Sequence, residues 1–349
     1  MSVKKTTNQR VKIDDVARLA GVSTATVSRV INGTGTVSDS TAEKVFEAIG
    51  DLKFVAHGSA RGLAGSKTNT IGLVLPGLTT FFFTALIQGI NDCIYQQGYS
   101  LLMYADPHPT SVASGKPLPL GEHNTDGLIV FTDFLDDYSI QYLHERNLPI
   151  VMLHRSPPAG LPIPKVMFEN RQGAFEIVNH LIEIGRKRIV YLKGPEGNED
   201  SRQREMGYRQ ALQNAGIEED ESLIGRGGFA ANQAADAIRQ LLLDGVEFDA
   251  VFCGDDTASI GVMDALRENG LSIPENVALV GFNDDYMSQY ITPALTTVRA
   301  PIHRSGFEAA QKLLDLIEGK PVEMHSELKT ELIIRESTIR ESTIGGHNG

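Results

Sequence analysis

The chain has 349 residues, 41% of them hydrophobic and 22% charged, which indicates a globular protein with a large core and excludes a disordered chain. The sequence has no apolar signal core near its start and no uninterrupted apolar run long enough to cross a bilayer, which predicts a cytoplasmic protein without a membrane partner. Taken over the whole chain, the net charge of −12 argues against a nucleic-acid partner.

The first predicted elements are two short helices between residues 12 and 33. Gly21 allows a tight turn between them, and Ser23 is suited to cap the second helix. Apolar residues recur at helical spacing along both segments: Ile13, Val16, Ala17, Ala20, Val27, Val30 and Ile31. The pattern predicts a helix-turn-helix, with an ordinary helical hairpin as the alternative.

The outer face of the second helix carries small side chains and one arginine. Its residues are Thr24, Ala25, Ser28 and Arg29. Small residues would allow the helix to enter a major groove deeply, where an arginine can bind a guanine through two hydrogen bonds.

Charge is distributed unevenly along the chain. Residues 1–68 contain ten Lys and Arg against six Asp and Glu, a balance of +4, whereas the remainder carries −16. A basic head on an acidic body is typical of a DNA-binding unit joined to a ligand-binding module.

A third helix, predicted from its cap at Ser38 through Leu52, is followed by the segment Ala60–Gly72, which leads into a strand at 70–76. With these segments taken together, the chain resembles the LacI/GalR family of bacterial transcription regulators. The resemblance covers nearly the whole sequence. The later matching motifs are Phe82-Phe83, Thr125-Asp-Gly-Leu-Ile129, Glu169-Asn170, Arg204 before Gly207-Tyr208, Phe282-Asn-Asp284 and Pro293-Ala-Leu-Thr-Thr-Val298.

The resemblance implies a DNA-binding role for particular residues of the head. Thr24, Ala25 and Arg29 match the base-reading positions, and Ser23, Thr26, Ser28 and Asn32 match positions near the DNA backbone. Leu63 matches the hinge leucine that inserts into the minor groove. The alternatives are helix packing and capping for Thr26 and Asn32, and a buried linker residue for Leu63.

Beyond residue 69, apolar strands alternate with amphipathic helices, which predicts parallel sheets covered by helices. The predicted strands lie near 70–76, 99–105, 126–131, 149–153, 188–193, 249–253 and 277–282. The predicted helices lie near 82–97, 171–185, 203–215, 231–243, 257–269 and 302–318.

The predicted fold class is α/β, with an all-α helix-turn-helix head before a two-lobed, doubly wound body. The resemblance implies that this body is of the type I periplasmic-binding-protein-like kind and that the chain crosses between lobes three times. The predicted divisions are a head at 1–55, a hinge at 56–69 and a body at 70–345. Within the body, the N-lobe spans about 70–167 and 298–325, and the C-lobe spans about 168–297 and 326–345.

Family positions also imply an effector cleft at the carboxyl ends of the strands. Its candidate residues are Phe83 and Phe229 as apolar walls, Arg204 as a forked donor, and His154, Asp255 and Asn283 as polar groups. A buried arginine needs partners, which a polyol or a carboxylate supplies. The alternatives are an interlobe salt bridge for Arg204 and simple core packing for both phenylalanines.

The remaining features limit other chemistries. Cys93 and Cys253 lie in separate apolar patterns and are expected to be buried free thiols, so no metal site or cofactor is predicted. Four prolines between 106 and 124 disfavour the helix usual in the family there. The C-terminal tail has no leucine heptads that would form a coiled coil.

These observations predict a homodimeric repressor that is not an enzyme. It would bind a pseudo-palindromic double-stranded operator and respond to a small, carbohydrate-derived molecule. The rival is a solute-binding protein of a sugar transport system, which would share the body but needs an export signal and no basic head. Catalytic and phosphate-loop motifs are missing from the sequence, which disfavours an enzyme.

Overall fold

A computed structural model describes residues 11–32, 35–54, 67–78, 80–105, 118–131 and 135–339. The chain divides into two compact units, Met1–Thr68 and Asn69–Gly349. Most of the hinge and residues 106–117 of the proline-rich segment lie outside the described residues.

The first unit contains helices α1 (Ile13–Ala20), α2 (Thr24–Asn32) and α3 (Asp39–Asp51). They share a small core centred on Val16, Val27 and Val45, each of which is completely buried. Gly21 ends α1 in the left-handed conformation with φ 67°, which is the predicted tight turn. Ser38 precedes α3 as predicted, but its hydroxyl bonds the hydroxyl of Thr41 at 2.8 Å and does not cap a backbone amide.

The second unit is built from alternating strands and helices. Its strands are β1 (Thr70–Leu75), β2 (Ser100–Ala105), β3 (Gly127–Phe131), β4 (Ile150–Leu153), β5 (Lys165–Phe168), β6 (Ile189–Lys193), β7 (Ile224–Arg226), β8 (Ala250–Cys253), β9 (Ala278–Val280), β10 (Thr297–Arg299), β11 (His325–Leu328) and β12 (Glu331–Ile333). Its helices are α4 (Phe81–Tyr95), α5 (Asp137–Glu145), α6 (Asn170–Glu183), α7 (Glu199–Asn214), α8 (Ala231–Leu243), α9 (Asp256–Glu268) and α10 (Ile302–Ile317).

The strands form two parallel sheets, one in each lobe. The N-lobe sheet has the order β11-β5-β4-β3-β1-β2, and the C-lobe sheet has the order β7-β6-β8-β9. Strands β10 and β12 form a short antiparallel pair. All seven predicted strands and all six predicted helices of the body are present. The interior strands of both sheets are mostly buried, as parallel strands between helices must be, whereas the edge strands β2 and β7 are partly exposed.

The chain crosses between the lobes three times, after β5, between β10 and α10, and between β11 and β12. The predicted N-lobe boundary at 325 is wrong by three residues, because β11 pairs with β5 as far as Leu328. Helix α5 and five short strands were not predicted. Cys93 and Cys253 are buried free thiols, as expected, and burial raises the pKa of Cys93 to about 11 and that of Cys253 to about 12.

Candidate functional site

Helix α2 presents its predicted outer face to solvent. Thr24, Ala25 and Arg29 are exposed, whereas Val27 on the opposite face is completely buried. Thr26 and Ser28 are half-buried at the edges of the exposed face. This face combines short side chains with one arginine, as a helix that enters a major groove requires.

The other predicted DNA-binding positions lie at the start and end of α2 or outside the described residues. The amide of Thr26 donates to Ser23 Oγ at 3.2 Å, so Ser23 caps the helix as predicted. Asn32 is the last residue of α2. Leu63 lies outside the described residues.

In the second unit, Arg204 lies at the centre of the predicted effector site and is almost completely buried. Its Nε donates to Asn170 Oδ1 at 2.8 Å, and its Nη1 donates to the carbonyl of Gly254. Its guanidinium carbon lies 3.8 Å from the ring centre of Phe282, a cation–π contact. Burial lowers the pKa of Arg204, a shift opposed chiefly by the charge of Asp200.

A chain of polar groups leads from Arg204 to the N-lobe. Asn170 Nδ2 donates to Asp200 Oδ1 at 2.8 Å, and Asp200 Oδ2 lies 3.2 Å from His154 Nδ1. This last contact lacks hydrogen-bond geometry, and Nδ1 of the fully buried His154 has no hydrogen-bond partner among the described residues. The two lobes are therefore in contact here through His154 and Asp200, whereas Arg204, for which an interlobe salt bridge was the alternative, bonds amide and carbonyl oxygens.

Asp255 and Asn283 form the second polar group of the site. Asn283 Nδ2 donates to Asp255 Oδ2 at 2.8 Å, and Asp255 Oδ1 caps α9 by accepting from the amide of Thr257 at 2.7 Å. Burial and the neighbouring charge of Asp256 raise the pKa of Asp255 to about 6. Asp256 itself is fully engaged by Ser288, Thr297 and the amide of Asp285.

The two phenylalanines have different surroundings. Phe83 is buried, with its ring centre 5.2 Å from that of Phe131, which fits the core-packing alternative. Phe229 is half-buried and lies 5.6 Å from the Arg204 guanidinium. A Cβ at Gly194 would come within 2.6 Å of three atoms of the Phe229 ring, so the ring fits here because residue 194 is a glycine.

Three of the seven non-glycine residues with positive φ in the described chain are predicted effector residues. His154, Phe229 and Asn283 have φ values of 58°, 58° and 117°, which non-glycine residues rarely adopt. Such strain clusters at functional sites, because it is retained only where the surrounding structure enforces it. It is thus an observation independent of the family resemblance, and it selects three of the six predicted effector residues.

The structure brings all six predicted residues into one contiguous set, joined by residues that the prediction missed. The connecting residues are Asn170, Asp200, Phe282 and Phe131. Asn170 and Phe282 lie in motifs singled out for the resemblance, but nothing in the sequence marked their contact with Arg204. This arrangement can bind the hydroxyl groups of a ligand, because amide and carboxyl oxygens lie beside one arginine and two aromatic rings.

We expect the stability of the body to depend on pH through Asp285. Burial, reinforced by the charges of Asp255 and Asp256, raises the pKa of Asp285 to about 8, and its Oδ2 has no hydrogen-bond partner in the described chain. The native state therefore holds a proton that the unfolded state loses near the ordinary aspartate pKa. The free energy of unfolding should fall as pH rises from about 4 to 8 and level off above that, by about 1–3 kcal/mol from this group.

Urea unfolding of the wild type and of Asp285→Asn between pH 5 and 9 measures this dependence. The Asn variant should lose much of the slope, whereas Asp236→Asn, at an exposed position, should keep it. Equal slopes in all three proteins would contradict the assignment to Asp285.

A helix-turn-helix unit joined to a two-lobed α/β body with a buried polar site defines a ligand-responsive, DNA-binding transcription regulator. In keeping with this class, the family model for bacterial regulatory proteins of the lacI family matches residues 12–56, and that for the periplasmic binding protein-like domain matches residues 178–338. The chain belongs to the LacI family, as its relatives show. No helix in the described ranges is long and apolar enough to cross a membrane.

Three similar proteins cover almost the whole chain. The HTH-type transcriptional repressor PurR of Vibrio atlanticus (strain LGP32) is 33% identical over 334 residues, which are 94% of this chain and 98% of that protein. A transcriptional regulator CelR–cellobiose complex has a TM-score of 0.71 and 31% identity, covering 94% of this chain and 100% of that one. The lac repressor dimer bound to operator and the anti-inducer ONPF has a TM-score of 0.75 and 27% identity, covering 95% and 100%.

Proposed function

We propose that this protein is a cytoplasmic, homodimeric repressor of carbohydrate-utilisation genes. It binds a pseudo-palindromic operator through α2, and a sugar or sugar derivative in the body changes its operator affinity. The observation that supports this proposal most directly is the exposed face of α2, on which Arg29 lies near Thr24 and Ala25, opposite the buried core of the unit. A solute-binding protein of a transport system does not need a helix-turn-helix unit.

The effector assignment rests on the polar set around Arg204. Asn283 Oδ1 and His154 Nδ1 are buried atoms without hydrogen-bond partners among the residues described. A buried polar atom without a partner costs about 1–3 kcal/mol, which a ligand hydroxyl would recover. The cellobiose complex of the similar CelR structure supports a carbohydrate as the ligand class.

A second copy of the chain is the proposed partner of the exposed β2 edge. Strand β2 is the last strand of the N-lobe sheet, and Leu102 and Met103 on it are exposed, as is Tyr95 at the end of the adjacent α4. Unpaired strand edges with exposed apolar side chains invite pairing with another chain. The similar lac repressor was solved as a dimer, which supports this assignment.

Selection of binding sites from a random DNA duplex pool by the full chain at near-physiological salt tests the function. We expect enrichment of one palindrome. When neutral and acidic sugars are then added one at a time, one of them should change the amount of that palindrome that the protein retains. If nothing were enriched with or without the sugars, the repressor proposal would be wrong.

Within the selected operator, Arg29→Ala should weaken binding by about 1–3 kcal/mol and relax the base preference at one position of each half-site. Arg18→Ala is the matched control, since Arg18 is an exposed arginine of α1 outside the proposed reading face. It should leave the base preference unchanged. Fluorescence anisotropy with single-base operator variants measures both effects, and an unaltered preference in Arg29→Ala would remove Arg29 from base recognition.

A further inference from the structure

Residues 334–339, which follow β12, are hydrogen-bonded to the C-lobe beside the candidate effector site, and we call them the C-terminal segment. Ser337 and Thr338 within it are buried. The Ser337 hydroxyl donates to the carbonyl of Leu279 at 2.6 Å, and Thr338 Oγ1 lies within hydrogen-bond distance of Thr296 Oγ1, at 2.9 Å. The segment is therefore packed into the C-lobe through its own polar side chains.

Arg335 joins the C-terminal segment to the residue that follows Asn283. Its Nη2 donates to Asp284 Oδ1 at 2.6 Å, and its Nη1 donates to the carbonyl of Leu295 at 2.8 Å. The backbone of Arg335 is anchored as well, because its amide donates to Thr296 Oγ1 at 2.8 Å. The side chains of Arg335 and Asp284 are only 16% and 10% exposed, so water and salt screen their ion pair poorly.

The Asp284 carboxylate is held at both of its oxygens. Oδ2 accepts from Arg299 Nε at 2.8 Å, while Oδ1 accepts from Arg335. Arg299 is 51% exposed and also bonds Glu331, so its contact with Asp284 is shared and open to water. Arg335 is thus the less exposed of the two arginines that fix this carboxylate.

The backbone at Asn283 and Asp284 forms a strained turn. Their φ values of 117° and 56° are two successive positive values at non-glycine residues. The Asn283 amide donates to the carbonyl of Val298 at 2.8 Å, and the Asp285 amide donates to Asp256 Oδ2 at 2.8 Å. These bonds hold the two sides of the turn, and the arginines hold the side chain between them. A strained turn persists only where its surroundings enforce it in this way.

We propose that Arg335 is a positioning residue of the effector site. By binding Asp284 it keeps the strained turn in place, and the turn places Asn283 Nδ2 against Asp255 Oδ2. Arg335 acts through Asp284 and makes no contact with the effector itself. The inference rests on the proposed function, since it gives Arg335 a part in sugar binding, but its first test needs neither a sugar nor operator DNA.

Hydrogen exchange of the ligand-free full chain, followed by mass spectrometry, tests how the turn is held. Arg335→Gln should speed exchange of the amides of residues 283–285 at least about tenfold, because release of Asp284 lets the strained turn open. Glu336→Gln is the matched control, since the neighbouring Glu336 side chain accepts from the Ala294 amide instead. It should speed exchange at Ala294 and leave residues 283–285 within about twofold of the wild type.

Two results of this experiment would each overturn the proposal. Unchanged exchange at residues 283–285 in Arg335→Gln would mean that the turn holds without the arginine. Equal acceleration there in Glu336→Gln would mean that the C-terminal segment detaches as a unit and that Arg335 has no particular part in it.

Sugar affinity gives the second readout, by titration with cellobiose, D-ribose, D-glucuronate and any sugar identified by the operator assay. Arg335→Gln should weaken binding of the sugar that the wild type binds by at least about fivefold. Arg335→Lys should restore most of the affinity, because its ammonium still neutralises Asp284. It should restore less of the stability, because it lacks the fork that also reaches the Leu295 carbonyl.

A double variant shows whether Arg335 acts through Asp284. Arg335→Gln combined with Asp284→Asn should bind the sugar no more weakly than Asp284→Asn alone. Losses that add in the double variant, or affinity that follows stability without recovery in Arg335→Lys, would reduce Arg335 to a structural anchor. If the wild type bound none of the sugars, the sugar effector of the proposed function would be wrong, and the hydrogen-exchange result would still decide how Asn283 is held.

Discussion

Replacing Arg204 with methionine should abolish detectable effector binding and lower the free energy of unfolding by about 3–5 kcal/mol. Arg204 is buried, with hydrogen bonds to Asn170 and the Gly254 carbonyl and a guanidinium face on Phe282. Methionine fills similar space but donates nothing, so two buried acceptors and the nearby Asp200 carboxylate lose their positive neighbour. Lysine should recover part of the stability, since it keeps the charge, but not the fork geometry or the ring contact.

Arg202→Met is the matched control, because Arg202 lies on the same helix and its 62% exposed side chain forms an ion pair with Glu199. Loss of an exposed pair should cost less than about 1 kcal/mol. Urea unfolding and titration with the sugar identified by the operator assay give the two readouts. If Arg204→Met bound the sugar as the wild type does while losing stability, Arg204 would be purely structural.

Four of the five strands that the sequence failed to predict share a physical reason. Strands β7, β10 and β12 have three residues each, too few to show a period of two, and β11 reads His-Ser-Glu-Leu with alternate residues exposed at the sheet edge. The seven predicted strands are runs of apolar residues, which parallel packing requires. Local pattern therefore recovers the strands that lie in longer apolar runs, including the edge strands β2 and β9, and misses the other short strands; it also missed the interior strand β5, whose four residues Lys165–Phe168 are too few to mark a strand on their own.

The same distinction holds for the candidate site. Arg204 and Asn283 could be identified because they stand in family motifs, and His154 and Asp255 because they occupy family positions just after the strands β4 and β8. The contact between His154 and Asp200 joins residues 46 positions apart in different lobes, and the contact between Asn170 and Arg204 joins α6 to α7. No spacing rule predicts such pairs, because they follow from how the lobes and helices pack.

The pairing of α4 with α10 determines how the N-lobe side of the site is held. A Cβ at Gly89 of α4 would lie 1.9 Å from the carbonyl oxygen of His303, and a Cβ at Gly306 of α10 would lie 2.3 Å from that of Leu86. Two helices in such close contact at both glycines leave no space for a methyl group. Ser305, beside Gly306, lies 3.5 Å from His154 Nε2, so the helix contact is coupled to the candidate site.

Gly89→Ala should therefore lower the free energy of unfolding by at least about 3 kcal/mol, although alanine is the better helix former, because the backbones must separate to admit the methyl group. Asn91→Ala, on the exposed side of the same helix, should change it by less than about 0.5 kcal/mol. Unfolding of both variants at one protein concentration gives the comparison, since a dimer's stability depends on concentration. A Gly89→Ala protein as stable as Asn91→Ala would mean that α4 and α10 do not pack backbone to backbone. Where Gly89→Ala still folds, sugar affinity should fall with stability, because separation of the helices moves Ser305 away from His154.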